Sequence, residues 1–206
     1  MKYAQKYLET NPQTAILAPC LLNTDGSFQP SFWHYPGIKE LVLELFYLHR
    51  LKSTIEPSSI IPVEAASGAA LFFRKSLVNE VGGLDENMFW MEDVDFCYRA
   101  SQSGKSVIWN PGIKIIHHGG KSSVGNYSIT IPNQVMSRIK FVKKNRSKSQ
   151  FYIINILSLI FICSRLFIFT LVSFMGRKYN AKRKAYIVSL NAYFRFNFKG
   201  NGAIVK

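Results

Sequence analysis

The stretch VEAASGAALFFRKSLVNEVGGLDENMFWMEDVDFCYRASQSGKSVIWNPGIKIIHH, residues 63–118, decides the fold. It opens on an apolar run interrupted only by small residues, which reads as a buried strand over 63–74. A short helix follows and stops at Gly82-Gly83, since glycine readily adopts the backbone that closes a helix. A second, acidic helix is predicted around 92–103, ended by Gly104. Two further strands, SVIWN and IKIIHH, are expected on either side of a Pro111-Gly112 turn. Strands that alternate with helices in this way predict the α/β class.

Working outward toward the N-terminus, residues 2–9 read as a helix stopped by Asn11-Pro12. TAILAPCLL (14–22) is an apolar run of strand length. Asp25-Gly26 is expected to supply the positive-φ pair of a hairpin that returns through SFQPSFW. In GIKELVLELFYLHR, Leu41, Leu45 and Leu48 recur at helical spacing, and residues 51–62, with Pro57 and Pro62, read as a loop. The three cysteines, Cys20, Cys97 and Cys163, are odd in number and far apart, so neither a disulfide framework nor a structural zinc site is expected. The first residues, MKYAQKYLETNP, hold no apolar run of signal-peptide length, and a reducing, cytosolic setting is expected.

With 48% hydrophobic residues the chain is too apolar for intrinsic disorder. Its net charge of +14 is unevenly placed. Residues 1–135 carry 11 Lys/Arg and all 12 Asp/Glu, whereas residues 136–206 carry 15 Lys/Arg and no acid. The composition therefore predicts a near-neutral globular part, 1–135, and a basic membrane-associated helical tail, 136–206. Within the tail, FYIINILSLIFICSRLFIFTLVSFM (151–175) has 19 apolar or aromatic residues and a single charge, Arg165. A helix of that length exceeds the ~30 Å hydrocarbon thickness of a bilayer.

Two readings of that segment stay open. At 100° per residue, Asn155, Ser158, Arg165, Thr170 and Ser173 share one narrow stripe opposite a wide apolar face. Both flanks are cationic, so a spanning helix would leave one cluster on the outer side, against the positive-inside tendency. A helix lying in the interface, or two short helices returning near Arg165, keeps both clusters beside anionic cytoplasmic lipid. Nucleic acid is not an expected partner, because the aromatic residues are interleaved with long aliphatic runs and do not form stacking platforms.

Three clusters could carry chemistry. Glu92, Asp93 and Asp95 fall in the first turn of the acidic helix, where the macrodipole favours ionised carboxylates, either as a base or as an N-cap. His117 and His118 end an apolar strand and precede Gly-Gly and hydroxyls. Imidazole there suits a metal or a phosphate, but adjacent strand residues face opposite sides, so at most one serves any given site. The small residues Ala66-Ser67-Gly68-Ala69-Ala70 mark close approach by another backbone or a ligand.

Taken in order, SGAALFFRK, EVGGLDE, an aromatic pair before MEDVDFCYR, G-x-x-V-x-x-x-P and IIHHGGKSS resemble the acceptor-side half of family 2 glycosyltransferases, particularly bacterial rhamnosyltransferase-like enzymes of surface-polysaccharide assembly. The resemblance extends back through LAPCLLNTDGSFQPSFWHYPG and so covers roughly residues 10–125. It implies part of a GT-A (nucleotide-diphospho-sugar transferase) fold and an inverting transfer from a nucleotide-sugar donor to a lipid-linked or glycan acceptor, at the cytoplasmic face of the cell membrane.

In residue terms the resemblance makes Asp93 the general base, which takes the acceptor hydroxyl's proton as that oxygen attacks the anomeric carbon. It gives Glu92 the acceptor hydroxyls, and sets Gly68, Phe89, Trp90 and Asp95 along the substrate, with core packing the alternative for the two aromatic residues and a structural role the alternative for Asp95. His117 becomes the histidine that helps hold a divalent cation, Mg²⁺ or Mn²⁺, or the diphosphate. The family's donor half and its D-x-D motif would precede residue 1, so the sequence reads as a truncated or split product. The cation is then expected only with that half, a separate chain is a candidate to supply it, and these residues alone are not expected to turn over a nucleotide sugar. A non-catalytic membrane-bound remnant or interaction module is the alternative.

Overall fold

The computed structural model describes residues 2–48, 56–119 and 125–199. Among them the backbone forms two compact units. The first contains residues 2–35, 56–85 and 92–119, and the second contains residues 36–48, 86–91 and 125–199.

In the first unit, helix α1 (Lys2–Thr10) leads into strand β1 (Thr14–Leu22). Every residue of β1 but the last is buried, as expected of a continuous apolar run covered on both faces. Along one edge β1 pairs in parallel with β7 (Ser106–Ile116). Along the other it takes two short antiparallel partners, β2 (Phe28–Gln29) and β6 (Phe72–Phe73), and β4 (Ile61–Val63) completes the sheet on the far side of β7. A separate two-stranded ribbon joins β3 (Phe32–Trp33) to β5 (Ala65–Ala66). Helices α3 (Lys75–Val81) and α4 (Glu92–Gln102) lie in sequence between β6 and β7. The class is α/β, as the alternation predicted.

Four local expectations are corrected. The single strand over 63–74 is three short pieces, β4, β5 and β6, broken by a bend at Glu64 and a turn at 68–70. Pro62 lies in β4 and not in a loop. SVIWN and IKIIHH are one strand, β7, because Pro111-Gly112 is absorbed as a bulge. Pro19 pairs with Asn110 and the next residue, Cys20, pairs with Lys114. A proline within a buried strand is tolerated at such an irregularity, and Asn110 Oδ1 accepts the amide of Gly112 at 2.8 Å to close it. At the hairpin only Gly26 has positive φ (+82°); Asp25 instead accepts from the Ser27 amide and hydroxyl, at 2.9 and 2.6 Å.

The core of this unit is built on Ile16, Leu17, Phe96, Val107 and Trp109, all essentially inaccessible. Trp109 meets the rings of Phe28 and Phe32 at 6.1 and 5.3 Å, and Phe96 of α4 meets Phe73 edge-on at 5.0 Å. The Phe96–Phe73 contact holds α4 against the sheet.

The second unit is helical: α2 (Ile38–Leu45), α5 (Tyr127–Asn145), α6 (Lys148–Leu171) and α7 (Arg177–Lys199), with a 3-10 turn at Ser173–Met175. Helix α2 is shorter than the leucine spacing predicted. It ends before Tyr47, whose φ is +60°, and Leu48 is exposed. The residues expected to extend it to Arg50, and part of the expected 51–62 loop, lie outside the described residues. Charge composition changes at 135/136, yet α5 runs through that point without a break.

Helices α6 and α7 are antiparallel. Asn155 donates to Asn197 Oδ1 at 2.7 Å near one end, and Phe169 stacks on Tyr186 at 5.6 Å nearer the other. Lys182 over Tyr127 and Lys143 over Phe196 join α7 to α5 along its length.

Candidate active site

Asp93 sits in the first turn of α4, partly buried, and both carboxylate oxygens are engaged by backbone. Oδ2 accepts the amide of Gly68 at 2.7 Å and Oδ1 accepts the amide of Val94 at 2.8 Å. Gly68 stands in the turn after β5, which Ser67 anchors by donating its amide to Ser31 O at 2.8 Å. A Cβ on Gly68 would lie 3.1 Å from Asp93 Cβ and 3.3 Å from Oδ2. The small-residue run does mark a close approach, and what approaches is the Asp93 side chain.

Electrostatically Asp93 departs from the helix-dipole expectation. Burial raises its pKa above the ordinary aspartate value. The two amide hydrogen bonds pull the other way, and the neighbouring Glu92 charge adds to the rise. Loss of water outweighs the helix N-terminus here, so the carboxylate is a stronger proton acceptor than a surface aspartate.

Glu92, the first residue of α4, is partly buried, and its Oε2 is shielded from solvent with no hydrogen-bond partner among the described residues. A buried carboxylate oxygen in that state is an acceptor still lacking a donor among the described residues.

Asp95 is not available to a substrate. Its side chain is inaccessible and pairs with Arg99 Nε at 2.7 Å, while the Arg99 guanidinium reaches the carbonyls of Val81, Gly82 and Gly83. The i,i+4 spacing of Asp95 and Arg99 was the sequence signal for this pairing. One residue of the acidic cluster therefore ties α4 to the end of α3, which corrects its reading as a substrate-facing group.

His117 follows β7, its amide bonded to Leu22 O at 2.9 Å and its Nδ1 2.8 Å from Gln29 Oε1. Gln29 is held in turn by Asn23 at 3.0 Å. Sequence reasoning missed both amide side chains, which become neighbours only through the β1–β2 hairpin. With Nδ1 engaged, Nε2 is the ring nitrogen left for a ligand. His118 is exposed, and the expected Gly120–Ser123 part of the cradle lies outside the described residues. Among the described residues no three His, Cys, Asp or Glu side chains come together as a cation site, so His117 supplies one ligand at most, and the chain's described donors do not by themselves fit Mg²⁺ or Mn²⁺.

Phe89 and Trp90 belong to the second unit, whereas Gly68, Glu92, Asp93 and His117 belong to the first. Both aromatic rings are exposed and meet each other edge-on at 5.9 Å, so neither is a core residue. Their segment is pinned by α5: Ser137 Oγ donates to Phe89 O at 2.7 Å and Lys140 Nζ to Asn87 O at 3.0 Å. Trp90 has φ +81°, a conformation that costs a bulky residue about 1–3 kcal/mol and persists where surrounding contacts impose it.

No family model matches the chain, and no solved structure matches it. Two curated proteins do: the N-acetylglucosaminyl-diphospho-decaprenol L-rhamnosyltransferases of Mycobacterium tuberculosis strains CDC 1551/Oshkosh and ATCC 25618/H37Rv. Each is 32% identical to this chain over 123 residues, which is 54% of the chain and 40% of the relative. The chain thus spans less than half the length of the curated relatives it matches, and over that span it is related to a glycosyltransferase.

Proposed function

We propose that the chain carries the acceptor side of an inverting family 2 glycosyltransferase, with Asp93 as its general base and a partial GT-A arrangement around it. The donor is a nucleotide sugar. The acceptor is a sugar linked through diphosphate to a polyprenyl lipid, the class that the relatives' name specifies. The observation that carries this reading is the pairing at the start of α4 of a fixed carboxylate, Asp93, with the unmet oxygen of Glu92.

In this reading Glu92 accepts a hydrogen bond from one acceptor hydroxyl while Asp93 accepts the proton of the attacking one. As the new C–O bond forms at the anomeric carbon, the bond to the nucleoside diphosphate breaks on the opposite face. A proton acceptor held by two backbone amides needs little reorganisation when the proton arrives, and positioned base catalysis is commonly worth ~10²–10⁴-fold. The resemblance assigns Phe89 and Trp90, exposed in the second unit, to sugar stacking. A divalent cation, where bound, would neutralise the leaving diphosphate. Of the described residues only His117 is a candidate to touch it, and the Asp93 step does not depend on it. In this reading the reaction runs at the membrane, on its cytoplasmic face.

The test uses the full chain in vesicles holding a photoreactive polyprenyl-diphosphate N-acetylglucosamine. Cross-links within 66–68 or 88–93 that unlabelled acceptor lipid displaces are expected. With a chain that supplies the donor half, a nucleotide sugar and Mg²⁺, a glycosylated lipid formed by the wild type and lost in Asp93→Asn, which still cross-links, supports the base assignment. Displaceable binding with no turnover favours a non-catalytic acceptor-binding module, and labelling that acceptor lipid does not displace removes the proposal.

A further inference from the structure

Helix α6 is inside-out by the standards of a water-soluble helix. Past its first turn, three of its polar residues, Asn155, Ser158 and Arg165, are buried in the second unit, Ser164 is half-buried and Thr170 is exposed. Asn155 is bonded to Asn197 of α7. Arg165, only 4% exposed, donates to the carbonyls of Glu44 and Leu45 at the end of α2, at 2.6 and 3.1 Å. Its guanidinium also lies 3.6 Å from the centre of the Tyr47 ring.

The exposed side is apolar. Tyr152, Ile156, Ile160, Cys163, Phe167 and Leu171 form one uncharged stripe at i, i+4 and i+3 spacing, and Phe174 extends it at 85% exposure. Less than a third of the apolar stretch of α6 is covered by protein. Polar groups turned inward and apolar groups turned outward are the pattern of a helix whose solvent is lipid.

The same packing decides between the two geometries that composition leaves open. Helix α7 lies antiparallel beside α6 and carries Arg177, Lys178, Lys182, Arg183, Lys184 and Arg195; α5 lies beside α7 and carries Arg138, Lys140, Lys143 and Lys144. If α6 crossed the bilayer, both neighbours would be carried into hydrocarbon with these charges, which lipid does not solvate. If α6 lies flat, the stripe enters the acyl region of one leaflet and the cations stay at headgroup level.

We infer that the second unit is a one-leaflet membrane module, in which the α6 stripe from Tyr152 to Phe174 lies parallel to the surface of an anionic bilayer and does not span it. Charge complementarity selects the lipid, since the described residues of the second unit hold 15 Lys/Arg against three acids, Glu40, Glu44 and Glu86, and each cation near an anionic surface adds attraction within a Debye length. The inference rests on the second unit alone and does not depend on the transferase reading.

The test is a depth measurement. Cys20 and Cys97 are buried and Cys163 is exposed within the stripe, so the wild-type chain labels there. Tyr152→Cys and Leu171→Cys, each with Cys163→Ser, place the same fluorophore at the two ends. The chain is bound to phosphatidylcholine–phosphatidylglycerol vesicles that contain lipids spin-labelled at graded depths. A flat helix gives equal, shallow depths at 152, 163 and 171, whereas a spanning helix separates 152 from 171 by about 28 Å, at ~1.5 Å per residue.

A depth gradient overturns the inference. So does absence of quenching at all three positions, or a chain that stays in the aqueous phase and cross-links to a second copy through Cys163. Independently, Ile156→Glu combined with Ile160→Glu changes only exposed positions and should abolish flotation with vesicles while leaving the far-UV helix signal intact. Unchanged flotation with intact helix signal equally counts against the inference.

Discussion

Gly68 and Asp93, 25 residues apart, are joined by a 2.7 Å hydrogen bond at a separation where a Cβ on the glycine would lie only 3.1 Å from Asp93 Cβ. The turn after β5 therefore sets the position of the carboxylate as firmly as α4 does. Gly68→Ala must push Asp93 aside by a few tenths of an ångström or move the turn. It is expected to cost ~1–3 kcal/mol, as overpacking does. The acceptor-lipid cross-link should persist while any transfer rate falls by at least an order of magnitude. Equilibrium unfolding and single-turnover assays read the two effects separately.

Asp93→Asn has a pH signature of its own. A folded-state pKa raised above the unfolded value means that ionisation costs the native state more than the unfolded one. The wild type should lose stability, relative to the Asn variant, as pH rises from below the ordinary aspartate value of 3.8 through the raised native one. Above that window the variant's relative advantage is constant, and below it the advantage vanishes. Urea midpoints of the two proteins measured across acid pH would reveal the divergence. Midpoints that converge as pH rises would show that the carboxylate is stabilised as an anion.

Breaking the Asp95–Arg99 pair from either side should be among the most damaging single changes in the first unit. Arg99→Leu leaves a fully buried carboxylate without its counter-ion and frees the carbonyls at 81–83, for an expected loss of ~3–5 kcal/mol. Asp95→Asn retains an acceptor for Arg99 and should cost less. Chemical denaturation gives the ranking, which reverses if Asp95 serves a substrate and not the fold.

The three thiols should separate by reactivity. Burial pushes Cys20 up to about 11, helped by Glu56, and Cys97 up to about 12, whereas Cys163 is exposed. Thiolate is the reactive form, so the native chain in detergent should take one equivalent of maleimide at neutral pH and three after unfolding. Protection of that one equivalent on addition of anionic vesicles would agree with the depth measurement above.

How much of this could be read from sequence follows from the range of each interaction. The helix starting at Glu92 and the stop at Gly82-Gly83 are local patterns, and each appears where the residues placed it; of the polar stripe of 151–175, Asn155, Ser158 and Arg165 are buried together, whereas Thr170 is exposed and Ser173 lies beyond the end of α6. The strand over 63–74 failed because its apolar composition concealed a turn whose purpose, the amide of Gly68 on Asp93, lies on another element. The Pro111-Gly112 turn failed in the opposite sense, since pairing with β1 across the bulge keeps β7 continuous. Asp95 was grouped with its acidic neighbours because burial is not visible in spacing, although Arg99 four residues on was the available warning. Least legible was the assembly of segments 36–48 and 86–91 with the C-terminal helices, which depends on partners such as Glu44 and Arg138 that lie 94 residues apart.

The seat of Arg165 also has a temporal meaning. Its hydrogen bonds to Glu44 and Leu45 close loops of 121 and 120 residues. At synthesis rates of ~5–20 residues per second, α2 leaves the ribosome roughly 6–24 s before the side chain that will satisfy its last carbonyls. The β1–β7 pairing, by contrast, can form once residue 116 has emerged. Topology thus orders biogenesis: the α/β unit closes first, and the discontinuous helical unit closes last. The seat of Arg165 is therefore filled only after the α/β unit has had time to close.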